Sequence, residues 1–315
     1  MESSLNVDQL SVYYISNDRI VKAVDGVSFE LNCDSCIGLA GESGCGKSTL
    51  GAAILRSVQS PGKIVSGSVI LDGTDILSIS ERDFDKTIRW KKIAMIFQGA
   101  MNSLNPVFTI GRQMSEVLEE HKFSGIASEC IKAALEQVLL EESIIKKYPH
   151  ELSGGQKQRI IIAMALLLKP HILIADEPTT SLDVLVQAQI INLLKNLKKR
   201  YGLSILFISH DLGVLSELAD NLAIMYGGHI VESGVSRIIY SHPRHPYTQK
   251  LISAVPRMND ERKNIESIKG KPPDLSALKE GCRFIDRCPF AMDICRQNPS
   301  MTEVVGAMVR CWLYR

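Results

Sequence analysis

Apolar residues in this chain gather into short unbroken runs separated by longer stretches with helical spacing. Ile37-Gly38-Leu39-Ala40, Ile93-Ala94-Met95-Ile96-Phe97, His171-Ile172-Leu173-Ile174-Ala175 and Ser204-Ile205-Leu206-Phe207-Ile208-Ser209 have the length and continuity of strands buried on both faces. Strand and helix patterns alternate, which predicts an α/β fold with a mostly parallel sheet covered by helices. Between Gln98 and Leu152 the spacing turns helical, with Val117-Leu118 before Glu119-Glu120, then Ile131, Ala134-Leu135 and Val138-Leu139. That stretch predicts a helical subdomain. The longest apolar run, around Ile160 to Leu168, falls short of the roughly 20 residues a bilayer crossing takes.

Each predicted strand ends in residues that carry chemistry. The first runs into Gly41-Glu42-Ser43-Gly44-Cys45-Gly46-Lys47-Ser48-Thr49 and then a helix, which is the context a phosphate-binding Walker A loop requires. Its glycines let backbone N–H groups wrap phosphates, Lys47 supplies a point charge, and Ser48 offers a hydroxyl to Mg²⁺. The third strand ends in Asp176-Glu177, a Walker B pattern in which Asp176 would hold Mg²⁺ and Glu177 would orient or deprotonate the attacking water. A second phosphate grip lies at Leu152-Ser153-Gly154-Gly155-Gln156, where small residues open a helix and leave its N–H groups approachable.

Taken together these residues resemble the ATP-binding-cassette family, and the resemblance covers about residues 5 to 255. Gln98 matches the Q-loop glutamine that touches Mg²⁺ and relays nucleotide state. Ser153, Gly154, Gly155 and Gln156 match the signature motif, Asp183 in Ser181-Leu182-Asp183 the D-loop, and His210 the switch histidine at the terminal phosphate. Tyr14 sits where the family carries an aromatic on the adenine, with Tyr13 adjacent. The resemblance implies a P-loop ATPase with a RecA-like parallel-sheet core, an antiparallel β subdomain and a helical subdomain at about 99–160, together spanning 1–255. It also implies that the signature of one subunit closes on ATP held by a second. The catalytic set would be Glu177, His210, Lys47 and Gln98. Asp34-Ser35 replaces the family's Gly-Glu in the turn before the Walker strand.

Composition narrows what this engine can drive. At 315 residues there is room for one large domain and an appendage. A net charge of +1 argues against a nucleic-acid surface, and Lys195 to Arg200 reads as a solvated helix end whose cations complement the dipole. The polar start Met1-Glu2-Ser3-Ser4 lacks an apolar signal segment, so the chain is expected at the cytoplasmic face of the membrane, peripherally bound. A single uninterrupted set of motifs without sustained heptads differs from the tandem translation factors and the coiled-coil repair ATPases. An importer ATPase is the leading reading. A soluble regulatory or assembly ATPase is the alternative.

Two segments are similar to the ATPases of oligopeptide, dipeptide and nickel importers, some of which move oligosaccharides: Met101-Asn102-Ser103-Leu104-Asn105-Pro106-Val107-Phe108-Thr109-Ile110-Gly111 after Gln98, and His242-Pro243-Arg244-His245-Pro246-Tyr247-Thr248-Gln249-Lys250-Leu251. The first looks like the D subunit, which implies a heterodimer with a related ATPase, two transmembrane permeases and, indirectly, an extracytoplasmic binding protein. Met101 to Gly111 would meet the permease, with Met101 and Phe108 as contacts. Gly99-Ala100 replaces the usual Glu-Pro.

Beyond Pro256 the composition changes again. Lys269-Gly270-Lys271-Pro272-Pro273-Asp274 reads as a stiff linker, and Cys282, Cys288, Cys295 and Cys311 follow, half of the chain's 8 cysteines. In a reducing compartment such a group binds metal more readily than it forms disulfides. The spacing is wider than that of ordinary zinc sites, and Pro289 follows Cys288 as in some iron–sulfur motifs. The same cysteines in a subset of peptide-importer ATPases imply a 4Fe–4S cluster, with zinc or free thiols as alternatives. The extension, 256–315, would then be folded by its metal. Cys33, Cys36 and Cys130 read as structural, and Cys45 as a modifiable thiol inside the phosphate loop.

Overall fold

Strand formation begins where β-branched and aromatic residues alternate. In the computed structural model, which describes residues 4–16, 18–254, 268 and 270–315, β1 (Leu5–Ser16) and β2 (Arg19–Leu31) form an antiparallel hairpin. β4 (Gly62–Leu71) pairs with the other edge of β1, and the short β5 (Thr74–Asp75) completes the order β2-β1-β4-β5. Leu5, Val7, Leu10 and Val12 are fully buried. The alternation slips between Val7 and Leu10, where Gln9 takes a left-handed conformation (φ 46°) and the register shifts. This is the antiparallel β subdomain, and the bulge hides it from a simple period-2 reading.

The chain divides into two compact units, residues 4–31, 35–77 and 207–315 in one, 32–34 and 78–206 in the other. The boundary falls within β8 (Ser204–Ile208), whose residues are all buried.

In the first of these units β3 (Cys36–Ala40), buried at every position, runs parallel to β9 (Asn221–Tyr226). β10 (His229–Val235) folds back on β9 across Gly227-Gly228, both with positive φ, as a two-residue hairpin turn demands. The C-terminal tail then adds two strands of its own. β12 (Ala307–Val309) pairs antiparallel with β10, and β11 (Thr302–Val304) with β12. The expected mostly parallel sheet is thus mixed. α1 (Lys47–Ile54) follows β3, while α7 (Leu212–Leu218), α8 (Ser236–Ser241) and α9 (Pro246–Ser253) surround the later strands.

In the other unit β6 (Ile93–Ile96) and β7 (Ile172–Asp176) are parallel and wholly buried, each residue of β6 facing its partner in register. α2 (Glu81–Thr87) precedes them, capped by the Ser80 hydroxyl. α3 (Ile110–Glu120), α4 (Ala127–Gln137) and α5 (Gly154–Leu166) form the helical stretch anticipated from the spacing. α6 (Val184–Tyr201) ends at Gly202, whose left-handed φ of 63° stops the helix. Among the described residues no helix is long and apolar enough to cross a membrane.

Candidate functional site

The phosphate loop leaves the buried end of β3, and two of its glycines cannot be anything else. Gly41 and Gly46 have φ of 155° and 107°, and a Cβ on them would lie 2.2 Å from the Met225 carbonyl oxygen and 1.9 Å from that of Ala23. Gly44 differs. Its φ of 79° also calls for glycine, yet a Cβ there would meet nothing within 4 Å, so this part of the loop is open to a ligand. Lys47 is buried, and its Nζ donates to the carbonyls of Gly41 (2.8 Å) and Glu42 (3.1 Å), which arches the loop over the ammonium.

The rest of the loop is held from outside it. The Glu42 N–H donates to the Tyr247 hydroxyl at 2.9 Å, and Gly228 N–H donates to the Cys45 carbonyl at 2.9 Å. The Tyr14 and Thr49 hydroxyls are 3.3 Å apart, whereas the neighbouring Tyr13 hydroxyl donates to Asp25 at 2.6 Å. The two tyrosines that sequence left side by side therefore have different surroundings, and Tyr14 is the one beside the loop. Ser43 and Ser48 are exposed on it. Cys45 is buried, and burial raises its thiol pKa despite Lys47 Nζ at 3.8 Å. Expected as a modifiable thiol, it is instead a protonated, enclosed one. His210 is exposed just beyond β8, next to Asp211, which caps α7.

At the end of β7 Asp176 is buried at 2% exposure, and the chain then turns sharply at Glu177, a non-glycine residue with φ 48°. Such a conformation costs roughly 1–2 kcal/mol and needs its surroundings to hold it. The Glu177 carboxylate accepts from Gln98 Nε2 (3.1 Å) and Thr180 Oγ1 (3.0 Å), so two side chains fix its direction. Glu177 and Gln98, far apart in sequence, are thus brought together. Thr180 is a partner that the motif reading missed.

The signature segment makes a self-contained cap. Ser153 Oγ accepts from the Gln156 N–H at 3.3 Å, and Gln156 Oε1 accepts from the Ser153 N–H at 3.0 Å. Gly154 and Gly155 occupy the first positions of α5, whose N–H groups have no intrahelical acceptor. A Cβ on Gly155 would approach Val186 Cγ1 to 2.8 Å, so that glycine serves the packing of α5 on α6, while Gly154 has room. Asp183 caps α6 through the Val186 N–H at 3.0 Å, and the next two residues, Val184 and Leu185, are 81% and 77% exposed. Phe97, just before Gln98, is exposed, as are Val107 and Phe108 after it, while Met101 is only half-exposed. Gln113, buried, knits this loop by bonding Asn105 and the Phe108 carbonyl. Gly99 takes φ 70°, a conformation open to it and closed to the usual residue's side chain without strain.

The tail departs most from expectation. It docks through ordinary side chains. Phe284 is buried against Tyr226, Tyr247 and His245, with ring centroids at 5.1, 5.4 and 5.7 Å. Arg283 pairs with Asp25 and donates to the Gly227 carbonyl; Arg287 grips Glu42 with both terminal nitrogens, at 2.7 and 2.9 Å. Asp25 is held well below the usual carboxylate range, chiefly by its hydrogen bond from His229, whose own pKa burial pulls down to about 4. Side-chain packing and the pairing of β12 with β10 thus attach the tail to the strands it follows.

The four tail cysteines are free, with Cys295 and Cys311 buried and Cys282 and Cys288 half-buried. Burial pushes Cys282 up to about 11, and the other three thiols add to the shift, so the four feel one another's charge. Among the described residues no set of three or more His, Cys, Asp or Glu side chains is placed to hold a metal ion. The donor set, four thiols without an imidazole, is one that zinc and an iron–sulfur cluster share.

Comparison with known proteins places these features in a family. The family model described as ABC transporter matches residues 24–180, and the one described as oligopeptide/dipeptide transporter, C-terminal region, matches 231–295. The oligopeptide transport ATP-binding protein AppD of Bacillus subtilis is 45% identical over 322 residues, covering 100% of this chain and 98% of its own length. OppD of Haemophilus influenzae is 42% identical, covering 99% and 98%. A dimeric ABC transporter cassette, MJ0796, is similar in structure with a TM-score of 0.65 at 26% identity, covering 74% of this chain and 99% of that one; a structure of the same cassette in a post-hydrolysis state, with ADP and phosphate bound, gives 0.64.

Proposed function

Because this chain belongs to the ATP-binding-cassette transporter ATPases, in the branch of oligopeptide and dipeptide transport ATP-binding proteins, we propose that it powers peptide import through separate membrane permeases. Similarity along the whole chain to transport ATP-binding proteins sets aside a soluble regulatory or assembly ATPase. The chain is an ATPase. Two permeases, a related ATPase as second cassette, a solute-binding protein outside the membrane and a place at the cytoplasmic face complete the reading. Relatives named for peptides favour peptide over nickel or oligosaccharide as cargo.

In-line attack of water on the γ-phosphate needs positioning and charge neutralisation more than covalent chemistry. Lys47 and the N–H groups of Gly44 to Thr49 bind and neutralise the phosphates, Tyr14 stacks on the base, and His210 contacts the terminal phosphate. Ser48, Gln98 and Asp176 provide a hydroxyl, an amide oxygen and a carboxylate, oxygen donors suited to Mg²⁺. When bound, that ion would supply positive charge to neutralise the phosphates. Glu177 orients and deprotonates the water. Ser153, Gly154, Gly155 and Gln156 take the phosphates of ATP held by the second cassette, and Asp183 orders the neighbouring turn. Phe108 and Met101 meet the permease.

The observation that carries this reading is Glu177, turned by a left-handed backbone and held by Gln98 and Thr180. Replacing it by Gln should leave binding of a fluorescent ATP analogue intact and cut phosphate release by at least about 100-fold. Unimpaired turnover would exclude Glu177 as the base. We further propose that Cys282, Cys288, Cys295 and Cys311 hold a 4Fe–4S cluster whose binding displaces their protons. Anaerobic purification should yield a brown protein with about four iron and four sulfide per chain. Colourless protein without iron would overturn it.

A further inference from the structure

The tail touches the phosphate loop. Arg287 lies one residue before Cys288, and its guanidinium forms a bidentate pair with the carboxylate of Glu42, the second residue of the loop. The Arg287 side chain is 5% exposed and that of Glu42 24%, so the pair is partly shielded from water. Arg287 also donates to the Tyr226 hydroxyl at 3.2 Å, and its guanidinium lies 5.7 Å from that ring's centroid. Its pKa is raised, mainly by the bond to Glu42.

A second route runs in parallel. Arg283, next to Cys282, donates to the Gly227 carbonyl, and the following Gly228 N–H donates to the Cys45 carbonyl of the loop at 2.9 Å. A Cβ on Gly228 would stand 2.7 Å from Arg283 Nη1, so the glycine pair leaves the arginine its passage.

A carboxylate in a loop that receives a polyphosphate is an electrostatic liability. Unpaired, Glu42 would repel the ligand across a few ångströms in a partly shielded site. Paired on both oxygens, it is neutralised and fixed in orientation, while Tyr247 holds the same residue's N–H.

We propose that Arg287 is a positioning residue for ATP, supplied by the cysteine-bearing tail, which neutralises and orients Glu42 so that the loop accepts the phosphates. The proposal rests on ATP binding at this loop. The arm that carries Arg287 is the same arm that carries the thiols, so tail and loop form one mechanical piece.

The test is titration of full-length protein with a fluorescent ATP analogue and Mg²⁺, using wild type, Arg287→Ala, Arg287→Lys, Glu42→Gln and the double variant Arg287→Ala/Glu42→Gln. Arg287→Ala should weaken binding about 10-fold, within the usual range for coupled sites. Arg287→Lys should recover part of it, because charge returns without the fork. The double variant should bind better than Arg287→Ala alone, since the unpaired charge is gone. In steady-state turnover of the assembled transporter the loss should appear in KM with kcat nearly unchanged. Arg287→Ala with wild-type affinity, or a double variant weaker than Arg287→Ala, overturns the proposal. Failure of wild type to bind the analogue would instead overturn the nucleotide reading itself.

Discussion

The two phosphate grips proposed for this chain are built in opposite ways. The loop from Gly41 to Thr49 is braced by its own chain, through Tyr14, Tyr247, Gly228 and Arg287, and open at Gly44. The signature from Ser153 to Gln156 is capped by its own side chains, with Ser153 and Gly154 exposed, as are Val184 and Leu185 after the D-loop. A grip completed within the chain can bind before assembly. An exposed grip of this kind suits the proposed closure of the signature on ATP held by a second cassette.

The comparison breaks most severely at Lys47. Lys47→Ala should abolish detectable binding of the ATP analogue, because the loop loses both its cation and the donor that arches Gly41 and Glu42; retained micromolar binding would show that the loop is not the grip. Phe284→Ala should be the next largest effect, costing about 3–5 kcal/mol of stability as a buried aromatic leaves a cavity among Tyr226, Tyr247 and His245. Denaturant unfolding checks it, and a cost under 1 kcal/mol would mean that the tail is held elsewhere.

A smaller effect follows from pH. Burial holds His229 at about 4 and His245 at about 3, below the ordinary 6.5. Both are neutral in the fold, and their contribution is complete above pH 6.5. As pH falls from 6.5 toward 4 the unfolded chain takes up protons that the fold refuses, so stability drops by roughly 1.4 kcal/mol per pH unit for each histidine. The melting temperature should therefore fall steadily through that window, and substituting Gln at His229 should flatten part of the slope. A flat profile would place these rings in water. Least of all, Cys45→Ser should change ATP turnover by no more than about twofold, being close in size and already protonated.

How much of this could be read beforehand depends on the range of the interaction. Phosphate chemistry demands fixed residue types at fixed spacing, so the Walker loop, Asp176-Glu177, the signature and Gln98 stand out in the sequence. The braces do not. Arg287 and Glu42 are 245 residues apart, Arg283 and Asp25 are 258 apart, and no periodicity links them. Two arginines and a phenylalanine set among the cysteines were the available hint. The spacing of the thiols points to metal, and it gives no sign that Phe284, Arg283 and β12 also hold the tail in place. β1 was obscured by the bulge at Gln9, where the alternation loses its phase.

The asymmetry between the two grips is tested most directly by Gly154→Asp. A side chain has room there, its nearest neighbour being Leu182 Cδ2 at 3.6 Å, and a carboxylate at a helix start leaves the fold stable. The account predicts that the isolated variant binds the ATP analogue as wild type does, while ATP-dependent association with the second cassette is lost. Weakened binding by the isolated variant, with association retained, would contradict it.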